Sequence, residues 1–151
     1  MEKLFETAIF TRSAMLSILE ELTEEQLAII PEGHRNNIFW NIAHVMVTQQ
    51  LLLYGLSGLP LLLDSDFIKR FTKGSTAVAE VIEEDLDLVR ENLLPLSQRA
   101  QEDFGRGVFS EYKPYMTSTG IELKTIEEGI SFSTYHDGIH LGVVLSLKKL
   151  V

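Results

Sequence analysis

Hydrophobic residues recur at three- and four-residue intervals in four long stretches of the chain. This spacing gives each stretch one apolar face and predicts four amphipathic α-helices. They are helix one over about 2–22, helix two over about 37–56, helix three from the Ser75–Thr76 cap to about 101, and helix four from about 126 to the C-terminus. Pro95 should kink or divide helix three after Leu94, because proline lacks the amide proton that a helix interior uses.

The segments between these helices carry turn-forming residues. Thr23-Glu24-Glu25-Gln26 has the form of a capping box and predicts a short helical turn, and a second short helix is expected over 66–71. Residues 57–66 and 105–124 have the glycines and prolines of connections, and the longer one is expected to cross one end of a bundle. No stretch shows the alternation of a β-strand. The chain is therefore predicted to be all-α: a single domain over residues 1–151, folded as a four-helix bundle with longer crossover connections.

Composition fits a globular protein with its own core. The 151 residues are 45% hydrophobic and 23% charged. With 13 basic and 22 acidic residues the formal charge is −9, and no basic stripe offsets it, so nucleic acid is not expected as a partner. No apolar stretch is long and unbroken enough for a bilayer span, and the N-terminus does not have the form of a signal peptide. We expect a cytoplasmic protein without a membrane partner.

Two histidines stand one turn apart on predicted helix four. His136 and His140 are four residues apart, so both imidazoles lie on one helix face and can reach one metal ion. The chain has no cysteine, so any metal site must use imidazole, carboxylate, carbonyl or water ligands. By itself the pair is equally consistent with core histidines that bind backbone carbonyls.

A polar strip along the otherwise apolar helix two supplies a third histidine. Asn37, Asn41, His44 and Thr48 follow helical spacing, and burial of such a strip is costly unless its groups are bonded, so it is predicted to face a pocket. Bundles build metal sites from facing helices. We therefore hypothesise that His44 and the helix-four pair bind one divalent metal ion and leave a coordination position open, with Asn41 and Thr48 as candidates to orient the ligands or a substrate.

Other polar residues have simpler interpretations. Arg12 falls in the buried stripe of helix one, and we favour pairing with a carboxylate or snorkelling over an anchor for an anionic substrate. Asp137 points away from the metal side, because one helical step turns the side chain by about 100°, so a metallopeptidase is a weak interpretation. His34 is predicted at the surface, as is the acidic face of helix three. Gly138 and Gly142 suggest close approach of a neighbouring helix or room for a ligand.

Two sequence motifs together carry a resemblance to a known family. Asn37-Ile38-Phe39-Trp40-Asn41-Ile42-Ala43-His44, followed after a long gap by His136-Asp137-Gly138-Ile139-His140-Leu141-Gly142, resembles the DinB-like family of bacterial four-helix-bundle proteins. The order of elements agrees, and the similarity covers essentially the whole chain. The resemblance implies a metal triad of His44, His136 and His140, a divalent ion that is most often zinc or nickel, and frequently a homodimer. Characterised relatives include thiol-dependent S-transferases and a mycothiol-dependent isomerase, so a low-molecular-weight thiol is a candidate cosubstrate, although no residue here identifies one.

Different classes of function stay open at this point. The first is a metal-dependent enzyme that carries out thiol-dependent S-transfer or hydrolase-type chemistry on a small molecule, for which no separate general base can be named. The alternative is a non-catalytic, metal-binding helical-bundle protein that dimerises. A helical domain without a metal is the third.

Overall fold

Helices dominate the computed structural model, which describes residues 1–77 and 80–151. They are α1 Glu2–Glu21, α2 Glu24–Ala28, α3 Ile38–Gln49, α4 Ser65–Phe71, α5 Glu83–Asn92, α6 Pro95–Gly105 and α7 Ile126–Leu147. A π-helical segment, Gln50–Gly55, continues α3 without a break, and two short antiparallel strands, β1 Tyr115–Met116 and β2 Glu122–Leu123, pair with Tyr115 opposite Leu123. The prediction of an all-α bundle is confirmed.

Side-chain caps fix the starts of several helices. The Thr23 hydroxyl accepts from the Gln26 amide at 3.3 Å, and the Gln26 side chain accepts from the Thr23 amide at 3.2 Å, so the predicted capping box is present. Asn37 caps α3 by accepting from the Trp40 amide at 2.8 Å, and Thr125 caps α7. These bonds satisfy amides that the first turn of a helix leaves without partners.

The predicted start of helix three is wrong. The helix begins at Glu83 as α5, and Ser75 does not cap it. The Ser75 hydroxyl instead accepts from Nε1 of Trp40 at 2.9 Å and faces the carbonyls of Arg70 and Thr72. The Ser75 hydroxyl is therefore engaged by Trp40 and these carbonyls and does not cap a helix. Val78, assigned to the inner face of the same helix, lies outside the described residues.

Proline divides the remainder of that helix as predicted. The α5 helix ends at Asn92, and α6 begins at Pro95, where the missing amide proton has no cost because the first helical turn lacks acceptors. The two short helices pack against each other, and Leu86 and Val89 of α5 are fully buried, as is Leu93 in the link between the helices.

The bundle is arranged around α7, which packs against α1 on one side and α3 on the other. The α6 helix packs against α1, and α4 packs against α3. The main core consists of fully buried aliphatic and aromatic side chains, among them Met15, Leu19, Ile38, Ile42, Met46, Phe67 and Leu86. Among the described residues, no helix has both the length and the apolar character of a membrane span.

The connection after α6 covers the end of the bundle where the π-helical segment stops. The Lys113 amide donates to the Leu56 carbonyl at 2.7 Å, and Phe109 packs edge-on against Tyr54 with ring centroids 5.1 Å apart. Further along, β1 and β2 form a hairpin whose tip spans residues 117–121. Two-residue strands are too short to give an alternating pattern, so the sequence did not predict this hairpin.

Candidate metal centre

A buried ion pair sets the rotation of α7 within the bundle. Arg12 Nε donates to Asp137 Oδ2 at 2.8 Å, and the two side chains are 0% and 1% exposed. The guanidinium also donates to Gln49 Oε1 at 3.0 Å and to the Val45 carbonyl at 3.1 Å, so α3 shares the arrangement. Arg12 therefore pairs with a carboxylate, as favoured, and Asp137 points away from the histidines, as predicted. With Asp137 held toward α1, its neighbour His136 is turned toward α3.

The three predicted histidines converge between α3 and α7. One ring nitrogen from each of His44, His136 and His140 lies within 4.8 Å of the other two, so the group could hold a metal ion. The Nε2 atoms of His136 and His140 are 3.2 Å apart. Tetrahedral zinc with bonds of about 2.0–2.1 Å would separate its nitrogen ligands by about 3.3 Å. The His136–His140 pair therefore has the separation that one ion requires, and a His44 nitrogen lies within 4.8 Å of both.

The backbone fixes the tautomer of His44. Its Nδ1 lies 2.6 Å from the carbonyl oxygen of Phe71, and since a carbonyl only accepts, Nδ1 must carry the proton. The lone pair is consequently on Nε2, which lies 3.3 Å from the Thr48 hydroxyl and accepts from it. An orienting partner on the outer ring nitrogen is the arrangement typical of a metal-binding histidine.

The side-chain amide of Asn41 orients His140, as the Phe71 carbonyl orients His44. Asn41 Nδ2 donates to the Asn37 carbonyl at 2.7 Å, which directs the amide oxygen toward the histidine. That oxygen lies 2.8 Å from His140 Nδ1, so Nδ1 is the donor and Nε2 has the lone pair. The structure thus places Asn41 beside one histidine and Thr48 beside another.

His136 is bonded differently from the other two. Its Nδ1 is buried and has no hydrogen-bond partner among the described residues. Its Nε2 lies 3.2 Å from His140 Nε2, and because that nitrogen has its lone pair, a hydrogen bond between the two requires a proton on His136 Nε2. A cation held by both Nε2 atoms would replace that proton, so this short contact between two nitrogens fits a metal ion.

Burial favours the neutral form of all three imidazoles. Loss of hydration lowers the pKa of His136 to about 3, with further contributions from the nearby His140, His44 and Arg12. Burial and the proximity of His44 lower the pKa of His140 to about 4. The pKa of His44 is also lowered by burial, although its bond to the Phe71 carbonyl acts in the opposite direction. Neutral imidazole is the form that binds metals.

A cavity of about 270 Å³ opens beside His44 and His136. The π-helical segment and its end contribute Leu51, Leu52 and Leu56 to the wall, and π-helical turns are frequent at functional sites because they change the direction of neighbouring side chains. The rest of the described lining comes from α3, the turn after α4, the hairpin and α7: Thr48, Thr72, Lys73, Tyr115, Thr117, Ser118, Thr119, Phe132 and Ile139. Of the polar strip predicted on helix two, His44 and Thr48 thus border a pocket, whereas Asn37 and Asn41 are not among its described lining residues.

Aromatic stacking supports the face of α3 that carries His44. The Trp40 indole lies parallel to the His44 imidazole, with ring centroids 4.4 Å apart and an angle of 14° between the planes. Trp40 is itself fixed by its bond to Ser75, and its ring is buried. The ring of His44 is therefore held on one face by stacking and at its edge by the Phe71 carbonyl.

Several other predicted features lie away from the histidines. His34 is exposed, as predicted. Gly138 and Gly142 lie on the exposed side of α7, and an added Cβ would meet nothing within 4 Å at either position, so the close helix contact suggested there is absent from the described chain. The acids of α5 are exposed except Asp85, which is buried and pairs with Arg70.

Sequence reasoning missed two parts of this site. The Phe71 carbonyl is a backbone group, and any residue at that position would supply it. Lys73 and the hairpin residues enter the cavity wall only through the course of the chain after α4 and α6, for which the sequence has no local signal.

Comparison with known proteins identifies the family. No curated protein sequence matches the chain. The model of the DinB superfamily matches residues 8–144, a range that includes α3, α7 and all three histidines. Since this match covers most of the 151 residues, the chain belongs to the DinB superfamily.

Proposed function

We propose that His44, His136 and His140 bind one divalent metal ion, zinc or nickel, and that the protein is a metal-dependent enzyme acting on a small molecule. The observation that carries this proposal is the convergence of three neutral imidazoles within 4.8 Å beside a cavity. The tautomers of His44 and His140 support it, because both rings direct an Nε2 lone pair away from the atoms that hold them.

Thiol-dependent S-transfer suits this cavity better than hydrolysis. A divalent ion held by three neutral ligands keeps its charge and an open position, and would lower the pKa of a thiol or a water bound there. Hydrolytic sites commonly add a carboxylate as general base, and none of the described lining residues is Asp or Glu. A thiol needs no such base once its proton has passed to solvent. Its sulfur then forms the bond to the electrophilic carbon of the acceptor, and the leaving group departs with the bonding electron pair.

Thr48 is suited to position the substrate. Its hydroxyl lies 3.3 Å from His44 Nε2, and its side chain lines the cavity. When that nitrogen is engaged by a metal, the hydroxyl proton is free to be donated to a bound thiolate or acceptor. Thr48 therefore acts as a positioning residue, and Asn41 holds the His140 ring from the opposite side of the cluster.

Metal content is the direct test of this proposal. Elemental analysis of the purified protein should give about one equivalent of metal, and His44→Ala, His136→Ala and His140→Ala should each lose most of it. His34→Ala is the matched control because His34 is exposed and outside the cluster. Equal metal in all variants, or none in the unmodified protein, would overturn the assignment.

Catalysis is tested separately from metal binding. The metal-loaded protein is assayed with a panel of low-molecular-weight thiols and electrophilic acceptors, with the triple alanine variant as the blank. Turnover above that blank supports S-transfer. Stoichiometric metal without turnover would favour the non-catalytic metal-binding protein, and a large loss of melting temperature on adding a chelator would then be expected.

We also propose that the protein forms a homodimer. Apolar side chains are exposed on the adjacent helices α1 and α7, with Phe10 75%, Tyr135 54% and Leu145 48% exposed. We expect these exposed apolar side chains of α1 and α7 to pack against a second copy of the chain. Light scattering should give the mass of a dimer, and Leu145→Glu should shift it toward the monomer, whereas Ile82→Glu, at the exposed position just before α5, should not. A monomeric unmodified protein would contradict the proposal.

A further inference from the structure

The cavity beside the histidines has a charge opposite to that of the protein as a whole. The chain carries 22 acidic residues and a formal charge of −9, yet no Asp or Glu is found among the described residues that line the cavity. Among these described lining residues, Lys73 is the one that carries a charge. A cavity without carboxylates and with an ammonium group at its wall is electrostatically suited to an anion.

Lys73 lies in the turn after α4, next to the carbonyl that orients His44. It lies two residues after Phe71, whose carbonyl binds His44, and α4 ends at Phe71. The Lys73 ammonium forms no ion pair within the described chain, whereas Lys3, Lys69, Lys124 and Lys148 each pair with a carboxylate. Its charge is therefore available to a ligand.

Hydroxyl groups accompany this ammonium around the cavity. Thr72 precedes Lys73 in the chain, and Ser118 and Thr119 come from the tip of the hairpin. Thr117 directs its hydroxyl to the Ile121 carbonyl, and the Thr119 hydroxyl donates to Thr117 Oγ1 at 3.0 Å, so both are used within the turn and the Thr72 and Ser118 hydroxyls are left for a ligand. Hydroxyl donors next to a single ammonium can bind a carboxylate by hydrogen bonds as well as by charge.

The remaining wall is apolar and limits the size of the ligand. Leu51, Leu52 and Leu56 come from the π-helical segment and its end, and Phe132 and Ile139 come from α7. The volume of about 270 Å³ is slightly below the range of about 300–1,000 Å³ that is typical of sites for drug-sized ligands. An apolar body of moderate length would therefore fill it.

We propose that this cavity binds a small organic monoanion, with its carboxylate at Lys73 and the neighbouring hydroxyls and its apolar body against the leucines and Phe132. One ammonium matches one negative charge, so a monoanion is favoured over a dianion. The inference rests on the proposed function for the identification of the cavity as the substrate site. The recognition by Lys73, however, requires no metal.

Isothermal titration with three probes of equal length tests the proposal. Hexanoate, hexanamide and hexylamine share one apolar body and differ in charge. Hexanoate should bind most tightly, and Lys73→Ala should weaken its binding by up to about fivefold, as expected for an ion pair at an exposed lysine. Lys73→Glu should weaken it further and reverse the preference toward hexylamine, while hexanamide should be little affected by either variant.

Two controls separate recognition by Lys73 from other effects. Lys69→Glu makes the same change of net charge in α4, at a lysine that is 74% exposed and does not line the cavity, and it should leave hexanoate binding unchanged. Each titration is run on chelator-treated and on zinc-loaded protein, because a carboxylate can also bind a metal directly.

The outcomes distinguish this inference from the proposed function. Anion preference that depends on Lys73 in chelator-treated protein supports the inference, even if the histidines bind no metal. Stoichiometric metal together with equal binding of hexanoate and hexanamide overturns the inference and leaves the metal centre intact. Absence of saturable hexanoate binding, or an equal effect of Lys69→Glu and Lys73→Glu, also overturns it.

Discussion

Arg12 Nε and Asp137 Oδ2 lie 2.8 Å apart at the centre of the bundle, and neither side chain is more than 1% exposed. The pair joins the first helix to the last across a separation of 125 residues. It also borders the metal centre, because Asp137 adjoins His136 on α7. A single buried contact therefore connects the stability of the fold with the direction in which a metal-binding side chain points.

Loss of one member of this pair should be strongly destabilising. Asp137→Asn removes the negative charge and leaves the Arg12 guanidinium buried without a counter-ion, which costs about 3–5 kcal/mol of unfolding free energy in comparable cases. Urea denaturation measures the change. Asp87→Asn is the control, because its partner Arg90 is 42% exposed and such surface pairs contribute about 0–1 kcal/mol. A similar small loss in both variants would show that the buried pair does not hold the helices together.

Removal of the amide behind His140 should weaken metal binding without removing a ligand. Asn41→Ala deletes the oxygen that lies 2.8 Å from His140 Nδ1, and loss of such an orienting group lowers metal affinity by about 10–100-fold. Competition with a chromophoric chelator measures the affinity. Asn92→Ala is the matched control, since among the described residues that amide binds the Leu88 carbonyl within α5 and no histidine. Unchanged affinity in Asn41→Ala would mean that His140 does not depend on Asn41 for its orientation.

The metal-free protein should lose stability as the solution becomes acidic. The pKa values of His136 and His140 are lowered to about 3 and about 4 in the folded protein, against about 6.5 in an unfolded chain. The unfolded chain therefore binds protons first, and the free energy of unfolding should fall by more than about 1 kcal/mol as the pH drops from about 6.5 toward 4.

Denaturation in the presence of a chelator, at a series of pH values, checks this dependence. Since carboxylates also titrate in this range, the informative quantity is the difference between the unmodified protein and His136→Leu, which lacks one of the buried imidazoles. The variant should show a shallower decrease in stability between neutral pH and about pH 4. Parallel curves would be inconsistent with a strongly lowered pKa at His136.

Two glycines of α7 should respond in opposite ways to alanine. At Gly129 an added Cβ would lie 3.0 Å from Cζ of Tyr112 and closer still to its hydroxyl, so Gly129→Ala should destabilise the protein by about 1–3 kcal/mol. At Gly138 nothing lies within 4 Å of the added atom, and alanine should stabilise the helix by about 1 kcal/mol. Thermal unfolding measures both, and Tyr112→Ala combined with Gly129→Ala should recover part of the loss.

Helix geometry explains why part of the metal centre could be predicted. The spacing of His136 and His140 is fixed by the helix itself, so the sequence predicts their proximity without knowledge of the fold. The participation of His44 depends on packing between α3 and α7. The sequence nevertheless indicates it, because a polar strip on an otherwise apolar helix requires buried partners. Arg12 was recognisable for the same reason, as a charge in an apolar stripe.

The features that could not be predicted depend on contacts between distant segments. Ser75 has the sequence of a helix cap, but its hydroxyl is engaged by Trp40 and by two carbonyls, so the helix begins later, at Glu83. The Phe71 carbonyl orients His44 although nothing in its side chain indicates this. Lys73 reaches the cavity wall through the turn after α4. In each case the partner is chosen by tertiary packing rather than by local sequence.

The stacking of Trp40 on His44 gives the protein a built-in optical probe. The chain has a single tryptophan, and its ring lies 4.4 Å from an imidazole of the candidate metal centre. All indole emission therefore originates one ring away from a proposed ligand, so nickel, whose partly filled d shell quenches fluorescence, should darken it, whereas filled-shell zinc should not. Titration of the unlabelled protein with nickel would then report occupancy of the site directly.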